Sequence, residues 1–267
     1  MLTMASSSNH QQLFFLLLAL LLPIAINGAD FIFQKCGENF TANAILPGNI
    51  NSVLLDLVGK TSTHGFATSS YGTGADTIYG ISECSEGATA QACSACLSDS
   101  ALKAHTSCPN SADMSIWQHS CYLRYSKKNF MGQPNSTKIG AWYSIHKPVD
   151  QQAYTRAVEE LLGVVGSAAS WGENRKFGWG VMDSPNFKGS VGKLFAMVQC
   201  TWDLDQDACT KCLADARQIR RDSCGDRLGC YVITESCALR IEISAFLLFN
   251  PAHDPATPAR SITLGSL

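Results

Sequence analysis

Charge is what this sequence has least of. Only 16% of its 267 residues are Asp, Glu, Lys or Arg, and they nearly cancel, to a formal net charge of -2. There is no basic surplus to hold the phosphates of a nucleic acid or an anionic membrane surface. The short motifs of common catalytic machinery are also missing. The histidines at His64, His105, His119, His146 and His253 show no zinc-protease spacing, and no Gly-x-Ser-x-Gly elbow or phosphate-cradling glycine loop is present. No catalytic residue, metal or cofactor is therefore expected. Long apolar runs are scarce. The longest beyond the N-terminus, Ile243 to Phe249, has the length of a strand, so no membrane span is expected in the mature chain.

The N-terminus is different. Leu13 to Ile26 is an apolar run broken only by Pro23, short for a bilayer span and suited to the core of a signal peptide. Small residues at Gly28 and Ala29 suit cleavage, giving a signal peptide of residues 1–28. Met1 to Gln12 carries no Lys or Arg, which leaves a signal anchor as the competing reading, but Pro23 and the short run favour a cleaved signal. Export would expose the sequons Asn39-Phe-Thr41 and Asn135-Ser-Thr137 to glycosylation. It also fits the abundant residue here, cysteine, at 12 copies. An even count in an exported chain reads as a disulfide framework.

The cysteines carry an internal repeat. Cys84, Cys93, Cys96, Cys108 and Cys121 recur 116 residues later as Cys200, Cys209, Cys212, Cys224 and Cys237. The same offset relates Ala92 to Ala208, Leu97 to Leu213, Asp99 to Asp215, Leu123 to Leu239 and Arg124 to Arg240. The unit is Cys-x8-Cys-x2-Cys-x11-Cys-x12-Cys. Cys36 has no counterpart in the second copy and Cys230 has none in the first, so each half holds six. The simplest reading is that Cys224, deprived of a distant partner, took Cys230 nearby.

Periodicity predicts helices over Asn49–Thr61 and around Tyr154, Val158, Leu161, Leu162 and Val165. Further helices are expected over Thr89–Ala104 and Asp207–Arg221, with each Cys-x2-Cys pair on one face of the first turn. Thr77–Cys84 and Lys193–Cys200 read as strands. Met114–Ser120 with Cys121–Ser126, and Cys230–Phe249, read as strand pairs. Two helices against an antiparallel sheet make an α+β domain. The expected division is a first domain over 29–147, a second over 148–250, with the seam near Pro148, and a flexible tail over 251–267.

Cys93-Ser-Ala-Cys96 and Cys209-Thr-Lys-Cys212 admit three chemistries. Zinc would want two such pairs in each domain, and each has one. A redox pair would have to be free, yet further cysteines flank both at fixed spacing. Structural disulfides are the reading that remains, although six cysteines allow fifteen pairings and spacing alone does not choose among them. Tryptophan is a natural platform for sugars. The aromatic, glycine-rich segment Trp171 to Met182 reads as a binding loop carrying Trp171 and Trp179, or as core packing of the same two side chains.

The doubled Cys-x8-Cys-x2-Cys core behind a signal peptide resembles the plant cysteine-rich repeat secretory proteins. Their domain is named after ginkbilobin, an antifungal seed protein that binds mannose, and also forms the ectodomains of cysteine-rich receptor-like kinases and plasmodesmata-located proteins. The resemblance implies two tandem domains, each of two helices on a five-stranded antiparallel sheet. It implies pairs Cys36–Cys108, Cys84–Cys93 and Cys96–Cys121, and by repetition Cys200–Cys209 and Cys212–Cys237, with Cys224–Cys230 completing the set. It implies an extracellular, apoplastic, non-enzymatic protein of stress or defence. Its partner would be a mannose-type glycan or, alternatively, an extracellular protein such as a receptor ectodomain. The family's mannose triad falls on Gly37, Ser115 and Ser126 in the first domain, none of which matches. In the second domain it falls on Tyr231 and Glu242, of which Glu242 matches. Glu242 is the expected sugar acceptor, or else an exposed strand carboxylate paired with Arg240 on the same face.

Overall fold

The computed structural model describes residues 31–40, 45–171, 176–183, 192–246 and 262–264. The expected signal peptide lies outside them. The first repeat holds β1 (Phe31–Cys36), α1 (Leu46–His64), β2 (Phe66–Tyr71), β3 (Ile78–Cys84), α2 (Ala90–Ser107), β4 (Asp113–Gln118) and β5 (Cys121–Ser126). The second holds β6 (Lys138–Tyr143), α3 (Gln151–Trp171), β7 (Phe177–Asp183), β8 (Lys193–Cys200), α4 (Gln206–Cys224), β9 (Cys230–Thr234) and β10 (Cys237–Glu242). A last short strand, β11 (Ile262–Leu264), follows.

The repeat offset reappears as local chemistry. Thr89 caps α2 by accepting a hydrogen bond from the Ala92 N–H at 3.1 Å, and Asp205 caps α4 by accepting one from the Ala208 N–H at 2.8 Å. These are the same two positions of the unit, 116 residues apart. At the other end of α1, Gly65 adopts a left-handed φ of 76° and donates its N–H to the Thr61 carbonyl, a conformation that glycine takes without steric cost.

Each repeat builds the same antiparallel sheet. The first runs β1-β4-β5-β3-β2 and the second β6-β9-β10-β8-β7, with β11 added as a sixth strand, parallel to β7. Two findings differ from the sequence reading. Strand β6, placed there in the first domain, hydrogen-bonds to β9 and occupies in the second sheet the place β1 has in the first. The domains therefore divide between β5 and β6, upstream of 147. Pro148 marks the loop from β6 into α3, because proline is poorly placed in a strand yet common just ahead of a helix. Second, part of the segment expected as a tail, Ile262–Leu264, pairs as an edge strand.

Helices cover one face of each sheet. Val53, Leu54 and Leu57 of α1 and Cys93, Cys96 and Leu97 of α2 bury against Ile78, Met114, Ile116 and Leu123. In the second domain Val158, Leu161, Leu162 and Val165 of α3 and Cys212, Leu213 and Ala216 of α4 meet Leu194, Val198, Val232 and Leu239. The backbone of α3 comes so close to β7 that a Cβ on Gly178 would lie 2.0 Å from the Val165 carbonyl oxygen. Only glycine fits there.

All twelve cysteines form six disulfides: Cys36–Cys108, Cys84–Cys93, Cys96–Cys121, Cys200–Cys209, Cys212–Cys237 and Cys224–Cys230. Neither Cys-x2-Cys pair is free for zinc or redox exchange. Its two members turn to different elements and tie the helix to the end of one strand and the start of another. Each such link typically contributes about 2–4 kcal/mol by restricting the unfolded chain. Strand register explains the one irregularity of the repeat. Cys36 lies directly across from Met114, and Tyr143 directly across from Cys230. The partner of the helix-end cysteine has moved one strand sideways within the sheet, from the edge strand to the position facing it.

The sheet faces turned away from the helices meet each other. Strands β3 and β5 are consequently buried on both sides, which is why their sequences do not alternate. Ile81, Trp117 and Tyr122 of the first domain form a cluster with Ile233 and Ala238 of the second. Phe66 stacks on Trp202 with ring centroids 5.2 Å apart. Around this core Lys35 donates to Glu235 at 2.6 Å and the Tyr122 hydroxyl donates to the Glu235 carbonyl at 2.8 Å. At its centre Glu83 accepts from Gln199 Nε2 at 3.1 Å and from the Trp202 N–H at 3.0 Å. Glu83 and Gln199 are repeat-equivalent, as are Trp117 and Ile233, and Tyr122 and Ala238. The two units therefore present the same face to one another.

Candidate functional site

The sheet-to-sheet contact is incomplete at one side, and a groove opens there. Strand β10 places Arg240 and Glu242 two residues apart, so both project from the face that meets the first domain. Arg240 Nε donates to Glu242 Oε1 at 3.1 Å. Behind the carboxylate lies Gly229, where a Cβ would stand 2.5 Å from Glu242 Oε2, so the absence of a side chain makes room for the acid. The end of β6 supplies two aromatic side chains, Trp142 at 43% exposure and Tyr143 at 50%. Arg227 fixes the second of these. Its guanidinium sits 4.6 Å from the Tyr143 ring centroid, and Nη1 donates to the Ser144 and Ile145 carbonyls at 3.3 and 3.2 Å. Trp142 leans on Tyr231 with centroids 5.9 Å apart. His119 of the first domain closes the groove, whose volume is about 410 Å³. His119, Tyr231 and Arg240 also line a second, more enclosed space of about 240 Å³ between the domains.

A carboxylate fixed by an arginine, beside two solvent-facing rings, offers hydroxyl acceptors, cationic donors and apolar faces together. Polyols are recognised by that combination. Of the residues singled out from sequence, Glu242 lies in this groove and the two tryptophans do not. Trp171 ends α3 at 71% exposure, and Trp179 is buried in β7 on the far side of β8 from β10. The segment between them includes 172–175, outside the described residues. In the first domain the corresponding positions are closed. Ser115 and Ser126 are buried, and a Cβ on Gly37 would overlap Asp113. Arg124 and Arg240 recur by sequence but pair differently, Arg124 with Glu235 at 3.9 Å and Arg240 with Glu242.

Sequence reasoning missed Tyr143, Gly229 and His119 as groove residues, because Tyr143 ends a strand that the sequence reading left in the first domain, Gly229 sits in a loop and His119 belongs to the other domain. Trp142 was legible only as one of five tryptophans. Among the sequons, Asn39 is exposed and bridges to Ser111, with Thr41 outside the described residues. Asn135 lies between β5 and β6, and its Oδ1 accepts from the Thr137 N–H at 3.0 Å. The described residues contain no cluster of His, Cys, Asp and Glu that would hold a metal ion, and no helix among them is long and apolar enough to cross a membrane.

Known proteins share the doubled fold. The family model described as salt stress response/antifungal matches twice, over residues 34–128 and 144–244. Cysteine-rich repeat secretory protein 55 of Arabidopsis thaliana is 31% identical over 253 residues, 92% of each chain. Antimicrobial ginkbilobin-2-like protein of Castanea crenata is 31% identical over 245 residues, covering 90% of this chain and 98% of its own. The fold matches the crystal structure of the tandem DUF26 ectodomain of the Arabidopsis thaliana cysteine-rich receptor-like protein PDLP8. There the TM-score is 0.69 at 22% identity, over 81% of this chain and 100% of the other. Matched in both repeats and along nearly its whole length by such relatives, the chain belongs to the salt stress response/antifungal family of tandem cysteine-rich DUF26 proteins.

Proposed function

We propose that this is a secreted, apoplastic binding protein of plant stress or defence that recognises mannose-type glycan in the groove beside Glu242. The observation that carries the reading is the meeting of Glu242, Arg240 and the exposed rings of Trp142 and Tyr143 in one open groove of the second domain. The names of the secretory and antimicrobial relatives support export and defence. In this reading the carboxylate accepts two sugar hydroxyls while a ring covers the apolar face of the pyranose. A hydrogen bond to a charged group is worth about 1.5–3 kcal/mol, so losing it weakens binding roughly ten- to hundredfold.

The test is titration of the oxidised protein on a glycan array that includes mannan, with Glu242→Gln and Trp142→Ala beside the parent. Loss of at least tenfold in both variants supports the site. Undiminished binding in both would refute it.

A second reading rests on a different observation. Along one strip of chain Trp142, Tyr143, Ile145 and Val149 are exposed apolar side chains, Ile145 at 80% and Val149 at 76%. The similar solved structure is a receptor-like ectodomain. If no glycan binds, this strip becomes the leading surface for an extracellular protein partner, and Ile145→Asp is the variant that would abolish that contact.

A further inference from the structure

The enclosed space behind the groove has a chemistry of its own. It measures about 240 Å³ and its walls come from both domains: Trp117, Phe177, Met197, Tyr231, Ala238 and Phe246. Ala92, in the first turn of α2, lines it from the first domain and is only partly buried. Gln118, His119 and Gln199 also reach it, but most of its surface is apolar, and that part offers water few of the two to four polar partners it needs. An apolar cavity of about 150 Å³ takes a benzene ring, so this one has room for a body of about two fused rings.

One charge stands at the wall. The Arg240 guanidinium lies 4.4 Å from the Phe246 ring centroid and 5.5 Å from that of Tyr231. Only Nε is engaged, with Glu242. Nη1 and Nη2 donate no hydrogen bond among the described residues. Laid against two rings, the planar group is held in orientation and keeps its Nη edge for an acceptor, which a carboxylate fits with two parallel bonds. Glu242 neutralises part of the charge, which limits the gain, but it occupies the other edge.

We propose that the inter-domain cavity binds an amphipathic organic acid, its flat apolar body of about two rings between the sheets and its carboxylate on the Nη edge of Arg240. This site shares Arg240, Tyr231 and His119 with the groove but does not rest on the sugar reading. It uses the first domain's α2 turn, which the groove beside Glu242 does not touch, and it stands whether or not a glycan binds.

Isothermal titration of the intact oxidised protein with 2-naphthoate tests it. 2-Naphthalenemethanol, the same ring body without the charge, is titrated in parallel. The expected result is a single saturable site for naphthoate. Ala92→Trp should weaken it at least tenfold, because the indole fills the space from its partly exposed rim. Ala88→Trp, on the neighbouring turn, repeats that test should the first variant not fold. Arg240→Gln should weaken naphthoate about tenfold and leave the alcohol unchanged. Absence of saturable binding, or unchanged binding in the folded tryptophan variant, overturns the site. Equal effects of Arg240→Gln on acid and alcohol overturn the recognition of an anion.

Discussion

Replacing Glu83 with glutamine should remove most of the pH dependence of the contact between the domains. Glu83 is 0% exposed at the centre of that contact. Its two oxygens accept only the Gln199 amide and the Trp202 N–H, and no lysine or arginine among the described residues pairs with it. Burial pushes its carboxyl up to about 8, from an ordinary 4.5, and the nearby Asp203 charge adds to this, while the two hydrogen bonds act against it. The folded state thus holds this proton more tightly than the unfolded chain does. Below pH 4.5 both states carry it and the group adds no slope. Between 4.5 and 8 the unfolded chain releases it first, so stability falls as pH rises, by about 1.4 kcal/mol per unit. Above 8 the loss is complete. From pH 5 to pH 8 the fall amounts to roughly 3–4 kcal/mol. Glu83→Gln keeps an acceptor oxygen and cannot ionise. Guanidinium unfolding with disulfides intact, followed by tryptophan fluorescence at several pH values, measures the difference between the two proteins, in which all other titrating groups cancel. The variant should be close to the parent at pH 5 and the more stable of the two at pH 8. Parallel curves across that range would refute the reasoning.

The second domain holds an arginine hub that behaves in the opposite sense. Glu159 accepts from Arg217 at 2.7 Å, from the 2%-exposed Arg220 at 3.1 Å and from Arg221 at 3.2 Å. Burial acts to raise its carboxyl, and the three arginines outweigh burial and hold it below the ordinary range. Glu159→Gln should cost roughly 2–3 kcal/mol in denaturant unfolding at neutral pH, moderated by the partial exposure of Glu159, because Arg220 is left buried without a counter-charge. The two proteins should converge in acid, as Glu159 becomes protonated. The register of the two sheets makes a further prediction. Tyr143→Cys combined with Cys230→Met restores the first domain's pattern, and non-reducing peptide mapping should find Cys224 linked to the new thiol at 143. Recovery of Cys224 as a free thiol would contradict the sideways displacement inferred from the cross-strand pairs.

Both repeats, their helices and their α+β class were legible in the sequence because they rest on local chemistry. Cys93 and Cys96 had to share a helical face, and five cysteines at one offset had to mean one unit used twice. Edge strands were less legible. Strand β6 carries no cysteine, so nothing in its composition assigned it to the second sheet rather than the first. Where the two units touch is fixed by long-range contacts alone. Alternation along a strand tells which side chains share a face, but on β3 and β5 both faces are buried, and the pattern that would mark an interface disappears. Glu83 and Gln199 stand at the same position of the unit, yet nothing along the chain says that the two copies turn those positions toward each other. The groove follows from that docking. Glu242 was visible as an acid on a strand, while its setting required β6, the loop before β9 and His119 of the other domain to arrive together. Short-range spacing sets the two units and their internal faces along the chain. Docking determined the site, because it is set by complementarity between surfaces far apart in the chain.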